Sequence, residues 1–271
     1  MSKNPQSNIS NVLTIAGSDS GGGAGIQADL KTFSALGVYG ASVITALTAQ
    51  NTSEVRGVFP VTPDFIRLQL ETVFDDIEIK AVKTGMLGSA DVVSEVAKDL
   101  RRRDILLVVD PVMISKSGNA LLQADAVTTV IEQLFPLAEL ITPNLPEAAA
   151  ILKMEEPGSL EGMQEMARLL HRLGPANVLL KGGHLMGEEC PDIFFDGDQF
   201  EIFQQVRINT QNTHGTGCSL ASAVTAYLAK GESVTEAVSH AKQYITSAID
   251  NADNLNVGAG HGPVNHFHAY W

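Results

Sequence analysis

Short apolar runs rich in β-branched residues recur along the chain, at residues 12–16, 41–45, 79–83, 105–109, 139–142 and 178–180, and longer amphipathic stretches separate them. Runs this short bury both faces of a strand, while the intervening stretches carry a helical period, so the pattern is that of repeated βα units. Such units build an α/β fold with a mostly parallel central sheet flanked by helices. Helix ends are signposted too. Ser233 and Glu236 have the spacing of a capping box, and Ser159 opens a run that closes at Gly174. Between Asp192 and Ile208 the pattern changes to two strand-like segments around Asp196-Gly197-Asp198, which predicts a hairpin at the sheet edge. No repeat or low-complexity linker interrupts the chain, so residues 12–271 read as one domain behind a polar tail, residues 1–11.

With 271 residues and 44% hydrophobic content the chain can bury the core of one large domain. Its net charge of −13 argues against a nucleic-acid or anionic-membrane surface, which needs clustered cations. The basic cluster Arg101, Arg102 and Arg103 ends an amphipathic run, where cations complement a helix C-terminus. Residues 32–53 carry no charge, yet Gly37, Gly40, Thr45, Thr48, Gln50 and Asn51 fit a helix end, a turn, a buried strand and a polar loop better than a membrane span. The first ten residues lack the apolar centre of a signal peptide, and Cys190 and Cys218 form no disulfide framework. A reducing, cytoplasmic setting is expected.

Glycines and polar side chains gather where strands end or helices begin, which in an open parallel sheet is one crevice beyond the carboxyl ends of the strands. In Asn212-Thr213-His214-Gly215-Thr216-Gly217-Cys218, Gly215 and Gly217 let the backbone approach a ligand, and the N–H groups of the following helix favour an anion such as phosphate. Cys218 stands in that first turn, where a helix dipole or a nearby cation lowers a thiol's pKa and would let it act as a base. Gly17-Ser18-Asp19-Ser20-Gly21-Gly22-Gly23-Ala24-Gly25 follows the first strand without the Lys of a P-loop, and reads as a flexible substrate-side loop. Gln50, after Thr48, offers a donor and an acceptor to an amino-heterocycle edge. Lys83-Thr84-Gly85-Met86-Leu87 also follows a strand. Asp110 ends an apolar run and, with Glu147, could hold Mg²⁺ through one or two carboxylates, although Asn144 and Glu147 equally fit a helix N-cap and its N3 partner. In Lys181-Gly182-Gly183-His184 the lysine can reach a phosphate as a point charge. His261, His266 and His268 lack an accompanying carboxylate or thiolate cluster and read as packing residues.

Taken in order, these segments closely resemble hydroxymethylpyrimidine/phosphomethylpyrimidine kinases: 16–19 with 25–31, 45–51, 83–87, 110–113, 142–148, 181–184, 212–218 and the closing stretch 262–268. The resemblance implies a ribokinase-like fold and ATP-dependent phosphorylation of 4-amino-5-hydroxymethyl-2-methylpyrimidine and then of its monophosphate, in thiamine biosynthesis. It implies Gln50 on the pyrimidine edge with Thr48, Ala24, Asp29 and Met86 around the substrate, Asp110 and Glu147 at Mg²⁺, and Lys181, Thr210, Thr213, His214 and Thr216 at ATP. Cys218 would be the base, with Lys181, Gly215 and Gly217 at the transferring phosphoryl. Gly21 stands where several relatives have serine, and Asn119 follows Ser117-Gly118 where aspartate is common. The expected partner is a small molecule, and a homodimer is expected by analogy. A pyridoxal or pyridoxine kinase of the same superfamily and a non-catalytic nucleotide-binding regulator are the competing readings.

Overall fold

The computed structural model describes residues 9–113, 124–183, 185 and 190–271; His184 and the Ser117-Gly118-Asn119 segment lie outside them. The chain runs β1 (Asn11–Ala16), α1 (Gly25–Ala35), β2 (Tyr39–Ile44), β3 (Ala46–Gln50), β4 (Val55–Pro60), α2 (Pro63–Asp76), β5 (Ile79–Thr84), α3 (Ala90–Leu100) and β6 (Leu106–Val109). It continues through α4 (Ala124–Thr129), β7 (Leu140–Ile141), α5 (Leu145–Leu152), α6 (Leu160–His171), β8 (Val178–Leu180), β9 (Asp192–Phe195), β10 (Phe200–Phe203), α7 (Thr216–Ala229) and α8 (Val234–Asp250).

Eight strands form one sheet in the order β10-β9-β8-β7-β6-β5-β1-β2. From β2 to β8 neighbours are parallel, and β9 and β10 are antiparallel, so the hairpin expected between Asp192 and Ile208 lies at the sheet edge. Successive side chains of a strand point to opposite faces, and both faces here are apolar. Leu13, Ile15, Leu107, Val109, Val178 and Leu180 join a core with α2 to α6, whereas Val108, Leu140 and Leu179 pack under α7 and α8. Because β1 is flanked by β2 on one side and β5 on the other, the chain reverses its direction of travel across the sheet there. The ends of β1 and β5 therefore flank the crevice of a topological switch point.

Most helix boundaries follow the cues in the sequence. Ser159 caps α6 and Gly174 adopts φ 115°, Ser233 and Glu236 form the capping box of α8, and Asn144 and Glu147 form that of α5. Arg101 lies at the C-cap of α3. The uncharged stretch 32–53 departs from expectation at its end, since Gln50 lies not in a loop but in β3, which pairs antiparallel with β4 as a second, two-stranded sheet. The strand breaks at Thr45, whose N–H is held by Ala16 O and whose hydroxyl donates to Met86 O at 2.6 Å. Beyond that anchor the chain leaves the main sheet, and the half-exposed β3 and β4 project as a flap. No helix among the described residues is long and apolar enough to cross a membrane.

Candidate active site

Helices α2, α3, α5, α6 and α8 each receive a side-chain cap, but α1 and α7 do not. Their uncapped N-termini meet at the switch point. Gly215 (φ 79°) brings them together: a Cβ there would fall 1.8 Å from Gly23 O, a position no side chain can occupy. Two helix starts thus face one space, α1 with its Gly25 N–H turned to Cys218 and α7 with the backbone of Gly217 and Cys218, an arrangement suited to anionic oxygen.

Asp19 organises the glycine loop. Its buried carboxylate accepts from the N–H groups of Gly21 (2.8 Å), Gly23 (3.0 Å) and Ala24 (2.8 Å), while Gln27 Oε1 accepts from the Asp19 N–H. Burial raises the pKa of Asp19, but the bond and charge of His214 and these N–H groups outweigh it and hold the carboxyl below its ordinary value. The sequence places His214 at ATP, but its Nε2 lies 2.9 Å from Asp19 Oδ2, so in this structure the ring is turned to the substrate-side loop. The flap is stitched to the same loop: Thr48 Oγ1 donates to Ser18 O, and Ser20 Oγ both donates to Gln50 O and accepts from Gln50 N.

Cys218 opens above a buried ionic group. Asp29 accepts from Lys83 Nζ through both oxygens (3.0 Å each), from Thr14 Oγ1 (2.6 Å) and from Ser222 Oγ (2.7 Å), one helical turn beyond Cys218. Asp29, Lys83, Thr14 and Ser222 are all fully buried. Asp29, expected beside the substrate, is therefore a corrected assignment: its carboxylate is consumed as the counter-ion of Lys83 beneath the crevice. Burial works against the Lys83 ammonium, yet the charges of Asp29, Cys218 and Asp110 hold its pKa above the ordinary value.

The expectation of an acidified thiol is corrected as well. Cys218 is half-buried, and its loss of solvent pushes the thiol's pKa up to about 11. Lys83 and the Gly25 N–H pull it down, but Asp29 and Asp110 add to the rise. A helix N-terminus does not compensate for partial desolvation beside two carboxylates.

Beside it, Lys181 Nζ donates to Asp110 Oδ1 at 3.0 Å, and Thr142 Oγ1 donates to the same oxygen at 3.1 Å. Gly217 keeps the α7 loop close to them, since a Cβ there would stand 3.3 Å from Lys181 Nζ and 3.7 Å from Asp110 Oδ2. Glu147 caps α5, and burial raises its pKa to about 7, with Lys181 opposing the rise and Asp110 adding to it. Two crowded hard-oxygen carboxylates with one partly protonated fit a divalent cation, which would relieve their repulsion.

The remaining expected residues divide. Ala24, Thr48, Gln50 and Met86 ring the glycine loop, with the Met86 methyl lying over Gly17. Thr216 Oγ1 donates to Thr213 O, so both belong to the α7 loop. Thr210 donates to Asp253 Oδ1 at 2.5 Å, as Asn212 does at 2.8 Å, and so shapes that loop from behind. His266 is buried against Ser219 and pushed down to about 3, mainly by burial, while His261 and His268 contact the carbonyls of Gln211 and Asn265. Sequence reasoning gave no role to Lys83, Ser222 or Asp253, and quoted Asp19 only as part of a motif. The available signal was Lys83, a second lysine in β5 placed directly after the apolar pair Ala81-Val82.

The model of the phosphomethylpyrimidine kinase family matches residues 19–265. A hydroxymethylpyrimidine/phosphomethylpyrimidine kinase from Rhizobium meliloti is 54% identical over 259 residues, 96% of this chain and 97% of its own length. Among solved structures, a phosphomethylpyrimidine kinase from Clostridium difficile is 48% identical with a TM-score of 0.79, covering 89% of this chain and 99% of its own. A Bacillus subtilis pyridoxal kinase, solved as an ADP complex, is 41% identical with a TM-score of 0.89, covering 96% and 98%. The sheet with its edge hairpin is the ribokinase-like fold, and the chain, a kinase, belongs to the phosphomethylpyrimidine kinase family.

Proposed function

We propose that the chain transfers the γ-phosphoryl of ATP to the hydroxymethyl group of 4-amino-5-hydroxymethyl-2-methylpyrimidine and then to the resulting monophosphate, supplying the diphosphate for thiamine biosynthesis. The observation that carries this reading is the convergence of two uncapped helix N-termini beside Cys218, Lys181 and Asp110. In this reading the pyrimidine lies between Met86 and the glycine loop with its edge on Gln50, and ATP lies on the α7 side with its phosphates at Lys181 and at the backbone of residues 213–218. Asp110 and Glu147 would hold Mg²⁺, which when bound neutralises phosphate charge.

Phosphoryl transfer passes through a loose transition state, so positioning and charge neutralisation do most of the work. The N–H groups at the starts of α1 and α7 and the Lys181 ammonium supply both. Cys218 accepts the hydroxymethyl proton late, when the oxygen has already acquired phosphorus and become acidic, so a thiol resting in its protonated form serves only from the small thiolate fraction. Residues 12–271 act as one catalytic unit, a homodimer held through the exposed flap region, in the cytoplasm.

The test is ATP consumption with Mg²⁺ against the pyrimidine alcohol, its monophosphate, pyridoxal and a panel of sugars, with products identified by mass. Mono- and diphosphorylated pyrimidine are expected. Pyridoxal phosphate as the sole product would move the chain to the activity named for its Bacillus subtilis neighbour, and nucleotide binding without turnover with any acceptor would leave a regulator.

A further inference from the structure

The Gln50 amide stands between two neighbours that fix its direction. Its Nε2 lies 3.4 Å from His214 Nε2 and its Oε1 3.3 Å from Thr48 Oγ1. Thr48 has a single hydroxyl hydrogen, which goes to Ser18 O at 2.8 Å, and thus has none for the Gln50 oxygen. Asp19 Oδ2, 2.9 Å from His214 Nε2, is a carboxylate oxygen and demands a proton on that nitrogen. An amide N–H would then face an imidazole N–H, and an amide oxygen a hydroxyl lone pair. Turning the amide by 180° relieves both contacts at once: Nε2 donates to Thr48 Oγ1, and Oε1 faces the His214 Nε2–H, whose one hydrogen is directed to Asp19 Oδ2 at 2.9 Å and meets Oε1 at 3.4 Å as the weaker branch of a shared bond. The backbone of Gln50 is already pinned by Ser20, so the direction of the amide is the freedom that remains.

We infer that Asp19 and His214 are specificity-determining positioning residues: Asp19 fixes the proton on His214, and His214 fixes which end of the Gln50 amide is oxygen. The inference rests on the reading of Gln50 as the pyrimidine contact. With the direction fixed, Gln50 keeps one lone pair and one N–H in a set order. An amino donor beside a ring-nitrogen acceptor docks against that order one way round, which directs the hydroxymethyl carbon. The ring of His214 packs against Gly23, where a Cβ would lie 2.4 Å from Cδ2, so the relay is also built into the contact of the two loops.

Steady-state KM and kcat for the pyrimidine alcohol in Gln50→Ala, His214→Ala, His214→Gln and the Gln50→Ala/His214→Ala double variant test it, with a melting curve for each. Losing one neutral hydrogen bond corresponds to about a three- to tenfold rise in KM. His214→Ala is expected to show that rise, and His214→Gln, which places an N–H where Nε2 stood, to recover most of it. In the Gln50→Ala background, removing His214 is expected to add less than about twofold. Multiplying losses in the double variant, or a Gln variant as poor as the Ala variant, overturns the relay while leaving Gln50 as a contact. An unchanged KM in Gln50→Ala overturns the contact reading and the relay with it. Long-range ¹H–¹⁵N correlations of the histidine rings give a substrate-free check: a proton on Nε2 of His214 is expected, and the Nδ1–H tautomer overturns the inference.

Discussion

Glu147 serves a fold and a reaction with opposite demands. As the N3 member of a capping box it stabilises α5, but buried beside Asp110 it is costly to ionise. A carboxyl whose folded pKa is raised, here from 4.5 to about 7, carries no penalty below 4.5, where it is protonated in both states. The penalty grows as pH rises through that window and is complete above 7. Glu147→Gln keeps an oxygen for the cap and cannot ionise, so it is expected to melt higher than the wild type at pH 8, by at most about 3 kcal/mol, with no gain at pH 4.5. Thermal unfolding at the two pH values without divalent cations checks this, and a gain independent of pH would mean that packing, not ionisation, is responsible. Cys218 gives the complementary prediction. With its thiol at about 11, the thiolate fraction at pH 7 is on the order of 10⁻⁴ and rises tenfold per pH unit. If it is the base, kcat/KM should climb between pH 7 and 9 and lose that climb in Cys218→Ser. A Ser variant with wild-type turnover and slope would remove the base role.

At the level of elements, the site depends on how closely α1 and α7 approach. Gly215→Ala places a methyl against Gly23 O and forces a positive φ on a residue with a Cβ. It is expected to lower kcat/KM for both substrates by more than about tenfold, since a displacement of 1 Å at the reacting atoms can cost 10²-fold. Loss for ATP alone would show the two helix starts to be independent. The ion pair below them joins β1, α1, β5 and α7, so Lys83→Met, which strands the Asp29 carboxylate, should cost about 3–5 kcal/mol in urea unfolding. The Asp29→Asn/Lys83→Met pair should recover much of it, and equal losses in the two would argue against an uncompensated charge as the cause. The order of elements was legible because β-branched runs and capping boxes are local features, and Ser159, Ser233 and Asn144 each cap the helix they announce. Asp29 and His214 were not, because their partners stand 54 and 195 residues away and no spacing rule links them. The raised Cys218 pKa was equally hidden, since a helix start is visible in sequence and the burial and carboxylates that a fold brings beside the thiol are not. The flap escaped for a different reason: Ala46–Gln50 alternates in exposure and continues an apolar run, so its departure at Thr45 is set by Met86 and Ala16, both distant in sequence.

For the whole molecule, the side chains left exposed around the flap bear on how the chain assembles. Tyr39 on edge strand β2, Leu47 on β3, Val58 and Phe59 on β4, and Phe65 and Leu68 on α2 are each about half exposed or more, and Leu47 pairs with Phe59 across the flap. A chain with a net charge of −13 repels its own copies at long range, so association needs an apolar patch to outweigh that repulsion. Leu47 and Phe59 share one face of the flap, Val58 lies on the other, and β2 is an unpaired edge of the main sheet, features that a second copy would cover. Light scattering is expected to give twice the chain mass for the wild type and the single mass for Phe59→Glu, which sets a carboxylate beside Leu47 on the exposed face of the flap. A monomeric wild type at micromolar concentration would exclude the dimer. The proposed dimer would also have a consequence at the site, because Gln50 rides on β3 and the flap buries little of its own surface. A covered flap is a stiffer flap, so Phe59→Glu should raise KM for the pyrimidine alcohol while leaving KM for ATP, bound across the crevice at α7, nearly unchanged. An equal rise for both substrates would instead mean that the substitution disturbs the sheet as a whole.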